Sequence, residues 1–120
     1  MSAPISPEAA FQSLREQCIA QPDSVEEFPW GHVAFKIGGK IFAILRGQEG
    51  EGDATVTLKP PPEDREALLA LPFVEVAAYV GRFGWLTVTV TEEEALAVAR
   101  ELITASYKQV RPKRRSRKAS

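Results

Sequence analysis

The sequence predicts an α+β fold, in which an antiparallel β-sheet carries helices on one face as a two-layer sandwich. Three observations lead to this prediction. Residues 32–45 contain two apolar strands around a Gly-Gly pair, residues 54–59 and 85–90 alternate between apolar and polar side chains, and residues 7–20 and 91–109 have helical periodicity. The predicted order is α-β-β-β-α-(β)-β-α, and strands joined by hairpins favour antiparallel pairing.

The first helix has a well-marked beginning. Ser6 is a favourable N-cap, Pro7 suits the first helical position, and Phe11, Leu14 and Cys18 follow at spacings of three and four residues. This spacing places the three apolar side chains on one face of a helix over residues 7–20. We therefore expect Cys18, the only cysteine, to be a core residue.

The segment HVAFKIGGKIFAIL predicts a β-hairpin. Gly38-Gly39 can adopt the positive φ angles of a two-residue turn. If these glycines form the turn, Val33 faces Ile44 and Phe35 faces Phe42 across the hairpin, on a mostly apolar face. The residues that alternate onto the other face are then Ala34, Lys36, Ile41, Ala43 and Leu45.

The second half of the chain predicts shorter elements and a long final helix. Pro60-Pro61-Pro62 ends the strand at 54–59, because proline cannot donate a ladder hydrogen bond, and a short helix follows over residues 62–70. Residues 73–80 are compatible with a strand or an irregular segment, and GRFG is a turn. Thr91 and Glu94 form a capping box. One face of the final helix carries Leu96, Ala99, Ile103, Tyr107 and Val110.

The composition fits one soluble globular domain. The chain has 120 residues, of which 44% are hydrophobic and 26% charged. No stretch has the roughly 18 consecutive apolar residues of a membrane helix, and the N-terminus has no secretory-signal pattern. We expect a cytoplasmic monomer whose domain covers residues 1–110, without membrane contact. A single cysteine excludes an intramolecular disulfide.

The net charge of −1 conceals a strong asymmetry. Residues 1–110 carry 9 Lys and Arg against 16 Asp and Glu, whereas residues 111–120 carry six basic residues and no acidic ones. The body is therefore near −7 and the tail near +6. Such a tail has almost nothing to bury, so we expect it to be disordered and to bind polyanions or to aid solubility.

The residues that carry chemistry do not form a catalytic constellation. One His and one Cys, with carboxylates that lack ligand spacing, do not predict a metal site, and no phosphate-cradling glycine motif precedes a helix. We therefore expect no metal, no cofactor and no enzymatic activity. Ser106 favours a structural interpretation. For His32 two interpretations stay open: a residue that leads into the hairpin, or a proton-transfer or ligand-binding group.

The ordered motifs FPWGH-x-x-FK-x-x-GKIFA, TLKPPPE, Y-x-GRFGW-x-T-V and LI-x-x-SY resemble the MmcQ/YjbR family over about residues 7–109. The resemblance implies a CyaY-like (frataxin-like) fold and DNA binding through a double-wing arrangement of β-hairpins. It implies no catalytic residue. The signature positions in this chain are Trp30, Gly31, Lys36, Lys40, Phe42, Lys59, Pro60, Gly81, Arg82, Trp85, Ser106 and Tyr107.

Two functions of different classes follow. In the first, a non-enzymatic DNA-binding protein contacts phosphates through hairpin and tail cations, which are Lys36, Lys40, Arg46, Lys59, Arg82, Arg111, Lys113, Arg114, Arg115, Arg117 and Lys118. In the second, a module binds a protein or small molecule in an aromatic groove formed by Trp30, Phe35, Tyr79, Phe83 and Trp85. A pocket of Trp30, His32, Trp85 and Tyr107 is a further hypothesis, and an enzyme centred on His32 is the least favoured.

Overall fold

The computed structural model describes residues 2–28, 32–47, 52–78 and 80–112, and of Arg82 only the backbone. Its helices are α1 (Pro7–Ile19), α2 (Arg65–Leu69) and α3 (Glu93–Val110). Its strands are β1 (Val25–Glu27), β2 (Val33–Ile37), β3 (Lys40–Arg46), β4 (Ala54–Leu58), β5 (Val74–Val76) and β6 (Leu86–Val90). Short 3-10 turns occupy Pro62–Asp64 and Gly81–Phe83.

The six strands form one antiparallel sheet in the order β1-β2-β3-β4-β6-β5. Helices α1 and α3 pack on each other and on the central strands β3 and β4. The predicted fold class is therefore confirmed. The core lies between this helix pair and the sheet, and its largest fully buried side chains include Phe35, Phe42, Leu14, Leu45 and Ile103.

Helix α1 begins and faces the core as its spacing predicts. The Ala9 amide donates to the Ser6 hydroxyl over 3.1 Å, and Pro7 occupies the first turn. Phe11, Leu14 and Cys18 are buried. Because these residues recur every three or four positions, they lie on the one face that contacts the sheet.

The β2–β3 hairpin has the predicted turn, but its register is predicted only in part. Gly38 and Gly39 have φ angles of +59° and +81°, and the pairs next to them are Ile37 with Lys40 and Lys36 with Ile41. A β-bulge then shifts the pairing by one residue, so that Phe35 faces Ala43 and Val33 faces Leu45. The predicted pairs Val33–Ile44 and Phe35–Phe42 are wrong.

The bulge has a physical reason in the packing of Phe42. This residue is the extra one on β3, it is fully buried, and its ring lies 6.4 Å from that of Phe35 and 5.4 Å from that of Tyr107. A bulge lets two successive residues point to similar sides. Phe42 and Ala43 are thus both buried, and Leu45 joins the core face to which the prediction had not assigned it.

Strand β1 is absent from the prediction. Its sequence, Val-Glu-Glu, is short, acidic and largely exposed, which gives no alternating apolar pattern. It forms because β2 offers an unpaired edge, on which Val25 pairs with Lys36 and Glu27 with Ala34. The Arg15 guanidinium holds Glu26 through Nε–Oε2 and Nη2–Oε1 contacts of 2.6 and 2.9 Å, which ties β1 to α1.

The predicted capping box at the beginning of α3 is wrong. The N-cap is Glu92, and its side chain makes no capping hydrogen bond. The free amides are instead bonded by the N-terminal segment: the Glu94 amide donates to the Ser2 hydroxyl over 2.7 Å, and the Glu93 amide donates to the Ala3 carbonyl over 2.8 Å. Residues 2–5 therefore form a strap across the first turn of α3.

Candidate functional site

A cleft of about 500 Å³ lies at the end of the sheet that carries the β2–β3 turn. Three of the lysines predicted to contact phosphates line it together with one of the two tryptophans. The lining residues are Lys36, Gly39, Lys40, Ile41, Lys59, Trp85, Gln109 and Val110. We call this the lysine cleft.

The sheet register explains why residues so far apart in sequence meet there. Lys36 pairs with Ile41 beside the hairpin turn. The last pair of the β4–β6 ladder joins Leu58 to Leu86, so Lys59 leaves β4 where Trp85 leads into β6. The four strands β2, β3, β4 and β6 therefore present their cleft residues at the same end of the sheet.

Lys59 and Trp85 also share one face of the sheet. Leu58 and Leu86 are buried against the helices, so alternation turns Lys59 and Trp85 to the opposite face. The next residues on that face, Thr57 and Thr87, join their hydroxyls over 2.9 Å. The Cε of Lys59 lies 3.9 Å from the place that a Cβ on Gly84 would occupy, which puts its side chain alongside the chain that precedes Trp85.

The three lysines differ in how far their charge is compensated. Lys36 pairs with Glu27 over 3.0 Å and is half-buried. Within the described residues, Lys40 and Lys59 form no ion pair. The three consecutive acids Glu92–Glu94 lie at the beginning of α3, about 26 Å along the helix from its end at the cleft. This distance is several Debye lengths of about 8 Å, so the repulsion between these acids and an anion in the cleft is screened.

Ser106 fixes the position of Lys59 through the backbone. Its hydroxyl is fully buried, donates to the Phe42 carbonyl over 2.7 Å and accepts the Lys59 amide over 2.9 Å. One side chain of α3 thus joins the bulge of β3 to the end of β4. Both bonds go to backbone groups, which agrees with the structural interpretation of Ser106.

The basic tail begins beside the cleft. The Arg111 amide donates to the Tyr107 carbonyl over 2.8 Å, and its guanidinium lies 5.9 Å from the Tyr107 ring centroid. The ring of Pro112 sits against the hairpin turn, because a Cβ on Gly38 would lie 2.6 Å from its Cγ. The predicted tail residues Lys113, Arg114, Arg115, Arg117 and Lys118 lie outside the described residues.

Of the other predicted nucleic-acid contacts, Arg46 is not brought to this cleft. Arg46 is exposed at the far end of β3, six residues or about 20 Å from Lys40. Arg82 belongs to the turn Gly81–Phe83, and its side chain lies outside what the structure describes.

The residues of the predicted pocket do not share one described site. Trp30 lies outside the described residues, and His32 is half-buried immediately before β2. Tyr107 is buried and donates its hydroxyl to the Pro22 carbonyl over 2.7 Å. Trp85 lines the lysine cleft instead.

The predicted aromatic groove is wrong in one of its members. Phe35 is fully buried in the core and cannot contact a ligand at the surface. Phe83 is exposed, whereas Tyr79 lies outside the described residues. The groove's remaining described residue, Trp85, belongs to a cationic rather than an aromatic surface.

Sequence reasoning missed the contribution of α3 to the cleft. Gln109 and Val110 line it from the last turn of that helix. Val110 is predicted only as part of the apolar face, and Gln109 carries no signal beyond its position before the basic tail. The meeting of this helix end with the hairpin turn depends on the tertiary packing.

A larger groove of about 730 Å³ lies between α1 and α3. It is lined by Ile5, Gln17, Glu93, Leu96, Ala97, Arg100, Glu101 and Thr104. Two acids and one base give it no attraction for an anion. The lysine cleft is therefore the site that the predicted phosphate contacts define.

Within the described residues, no group of three or more His, Cys, Asp or Glu side chains is placed to hold a metal ion. None of the helices in this part of the chain has the length and apolar character needed to cross a membrane.

Cys18 is expected to react with a thiol-specific disulfide reagent only after unfolding. Its side chain is fully buried, and burial, reinforced by the charge of Glu26, raises the pKa of its thiol. The thiol of the native protein stays protonated, whereas the thiol of the unfolded protein ionises near pH 8.5. The stability that burial of the neutral thiol contributes is therefore full below that pH and is lost above it. Urea titrations from pH 7 to 10 should show a steeper alkaline loss for the wild type than for Cys18→Ala, by up to about 1.4 kcal/mol per pH unit. Equal losses would contradict this.

Fold and cleft together define a small α+β protein with an antiparallel sheet and a cationic cleft at the end of that sheet. The YjbR family model matches residues 19–109. The chain therefore belongs to the YjbR family, as the resemblance of its motifs predicts. No curated protein matches it.

Two crystal structures have a similar fold. A Pseudomonas syringae protein is 21% identical with a TM-score of 0.68, and the match covers 83% of this chain and 97% of that protein. A Deinococcus radiodurans protein with a DUF419 domain is 22% identical with a TM-score of 0.66, and the match covers 96% of this chain and 98% of that protein. At these identities the likeness establishes the fold.

Proposed function

We propose that this protein is a non-enzymatic DNA-binding protein that holds the phosphate backbone at the lysine cleft. The observation that carries the proposal is the convergence of Lys36, Lys40 and Lys59 from three strands at one end of the sheet. Lysine contacts to phosphate release counterions, and they provide affinity with little sequence preference. The protein would therefore bind DNA in a strongly salt-dependent way.

The origin of the tail supports the same assignment. Pro112 lies against Gly38, the neighbour of the cleft residue Gly39. Lys118 follows Pro112 by six residues, and the chain cannot span more than about 3.5 Å per residue, so covalent geometry keeps the Cα of Lys118 within about 21 Å of the Cα of Pro112. Cleft and tail can therefore act on one short stretch of backbone.

The positions of the charged residues matter because the body as a whole is acidic. A net charge of −7 repels a polyanion only where the acids lie within a few Debye lengths of it. Lys40 and Lys59 make no ion pair among the described residues, and Glu92–Glu94 lie at the other end of α3. Glu63 and Asp64 follow Lys59 by only four and five residues, so the remote position of Glu92–Glu94 removes part of the body's repulsion and not all of it.

The test reverses the charge of the two cleft lysines that form no ion pair among the described residues. Lys40→Glu combined with Lys59→Glu is expected to weaken binding of a labelled DNA duplex at least tenfold, and to reduce the slope of log K against log salt by about 1.8. The measurement is fluorescence anisotropy at 0.05 to 0.3 M salt. Lys36 is left intact because its replacement would also break the pair with Glu27.

The matched control is a pair of single variants, Lys40→Glu and Arg46→Glu. Both replace an exposed cation at one end of β3 and change the net charge equally, but only Lys40 lines the cleft. Arg46→Glu should change the affinity less than threefold at 0.15 M salt, where charges about 20 Å away are screened. Equal losses for both variants would mean that net charge, and not the cleft, determines binding.

A further inference from the structure

We infer that the lysine cleft binds an unpaired nucleotide, with the base on Trp85 and the adjoining phosphates on the lysines. This inference rests on the proposed function, because it requires that the cleft bind nucleic-acid phosphates. It goes further in naming single-stranded nucleic acid, rather than a closed duplex, as the preferred ligand.

The shape of the cleft is the first reason. The site is concave and has a volume of about 500 Å³, which lies within the range of small-molecule pockets. A duplex keeps its bases stacked and paired inside its backbone, where a side chain in a recess cannot reach a base face. An unpaired nucleotide can place its base inside such a recess.

The side chains of the cleft are the second reason. Trp85 is half-buried and lines the same cleft as three lysines. Proteins that bind single strands combine a cationic surface that follows the backbone with aromatic side chains on which bases stack. Gln109 lines the same cleft, and its amide adds hydrogen-bonding capacity there.

The position of Trp85 within the fold is the third reason. Indole rings are commonly core residues, but here alternation turns Trp85 away from the helix layer, on the side opposite to Leu86. Its neighbours on that face are Lys59 and the Thr57–Thr87 pair. The indole ring of Trp85 therefore lines a cationic cleft rather than the core.

The experiment measures binding of the full-length protein to three ligands: a ten-residue oligothymidylate, an abasic strand of the same length, and a ten-base-pair duplex. The abasic strand keeps the phosphates and removes the bases. The oligothymidylate should bind about tenfold more tightly than the abasic strand, since stacking of a single base contributes about that factor. Equal affinities for the two strands would overturn the inference.

Two variants assign the difference to Trp85. In Trp85→Leu the ratio of oligothymidylate to abasic affinity should approach one, while the salt dependence stays unchanged. In Trp85→Phe the ratio should persist, and the quenching of tryptophan fluorescence that oligothymidylate causes in the wild type should decrease. A ratio unchanged in Trp85→Leu would overturn the inference. The ratio is read within each variant, and the comparison of strands in the wild type stands even if a variant fails to fold.

Further measurements distinguish free nucleotides from nucleic-acid strands as the ligand, and this inference from the proposed DNA-backbone binding. Thymidine monophosphate that quenches Trp85 and competes with the strand would identify free nucleotides as a second source of the same chemistry. Salt-dependent binding of all three ligands with equal affinity would overturn this inference and leave DNA-backbone binding intact. Failure of every nucleic acid to bind would overturn both.

Discussion

Neutralising the five basic residues after Pro112 is expected to reduce the slope of log K for DNA against log salt by about 4.5 if each meets a phosphate. Between 50 and 200 mM salt, wild-type affinity should then fall roughly 500-fold more than that of the variant. The replaced residues are Lys113, Arg114, Arg115, Arg117 and Lys118, all changed to glutamine. Keeping the full chain length preserves the contact between Pro112 and Gly38.

The slope of log K against log salt that remains in this variant separates the phosphate contacts of the tail from those of the body. The three cleft lysines should leave a slope of about 2.7, and Lys40→Glu in the same background should lower it by about a further 0.9. A slope of zero after neutralisation of the tail would place all phosphate contacts in the last residues of the chain. The proposed role of the lysine cleft would then be wrong.

Phe42→Ala is expected to lower the free energy of unfolding by about 3 to 5 kcal/mol. Phe42 is fully buried at the β-bulge and contacts the rings of Phe35 and Tyr107, so truncation leaves a cavity between β3 and α3. The substitution keeps the Phe42 carbonyl, which accepts the Ser106 hydroxyl. Loss of the ring should nevertheless loosen the packing around this bond and with it the connection from Ser106 to Lys59. Urea unfolding followed by circular dichroism measures the change.

The control is Phe28→Ala. Phe28 is 65% exposed, so its truncation removes the same atoms from a mostly solvated position and should cost less than about 1 kcal/mol. Equal destabilisation by the two substitutions would contradict the packing role of Phe42. An unchanged m-value would show that the midpoints report stability and not a change in the unfolded state.

Local sequence predicted the elements whose determinants are themselves local. Ser6 and Pro7 mark the beginning of α1 because a cap and a fixed φ act within one turn. The hairpin turn was predictable because Gly38 and Gly39 need no Cβ to reach positive φ. In both cases the residues that decide the structure are neighbours in the chain.

Elements that depend on distant partners were not predictable in this way. Thr91 and Glu94 have the pattern of a capping box, but the amide of Glu94 is taken by Ser2, which lies more than ninety residues away. The bulge at Phe42 depends on Tyr107 and Phe35 filling one space. Neither of these long-range contacts can be recognised from the local sequence.

The candidate site was predictable in composition but not in geometry. Lys36, Lys40 and Lys59 belong to the family motifs and line one cleft, whereas Arg46 was grouped with them only because it belongs to the same hairpin. A seven-residue strand separates its two ends by about 20 Å. Trp85 and Gln109 line the same cleft because of the sheet order and the packing of α3, which the local sequence does not determine.

The strap of residues 2–5 has a practical consequence for handling the protein. It fixes the amino-terminal side of the chain at the beginning of α3, whereas the chain leaves the other end of that helix beside the lysine cleft. Immobilisation on a sensor surface through the N-terminus would therefore direct the cleft outward, into the flowing sample. Attachment through the C-terminus would place the cleft against the matrix, where a charged coating would compete with the ligand.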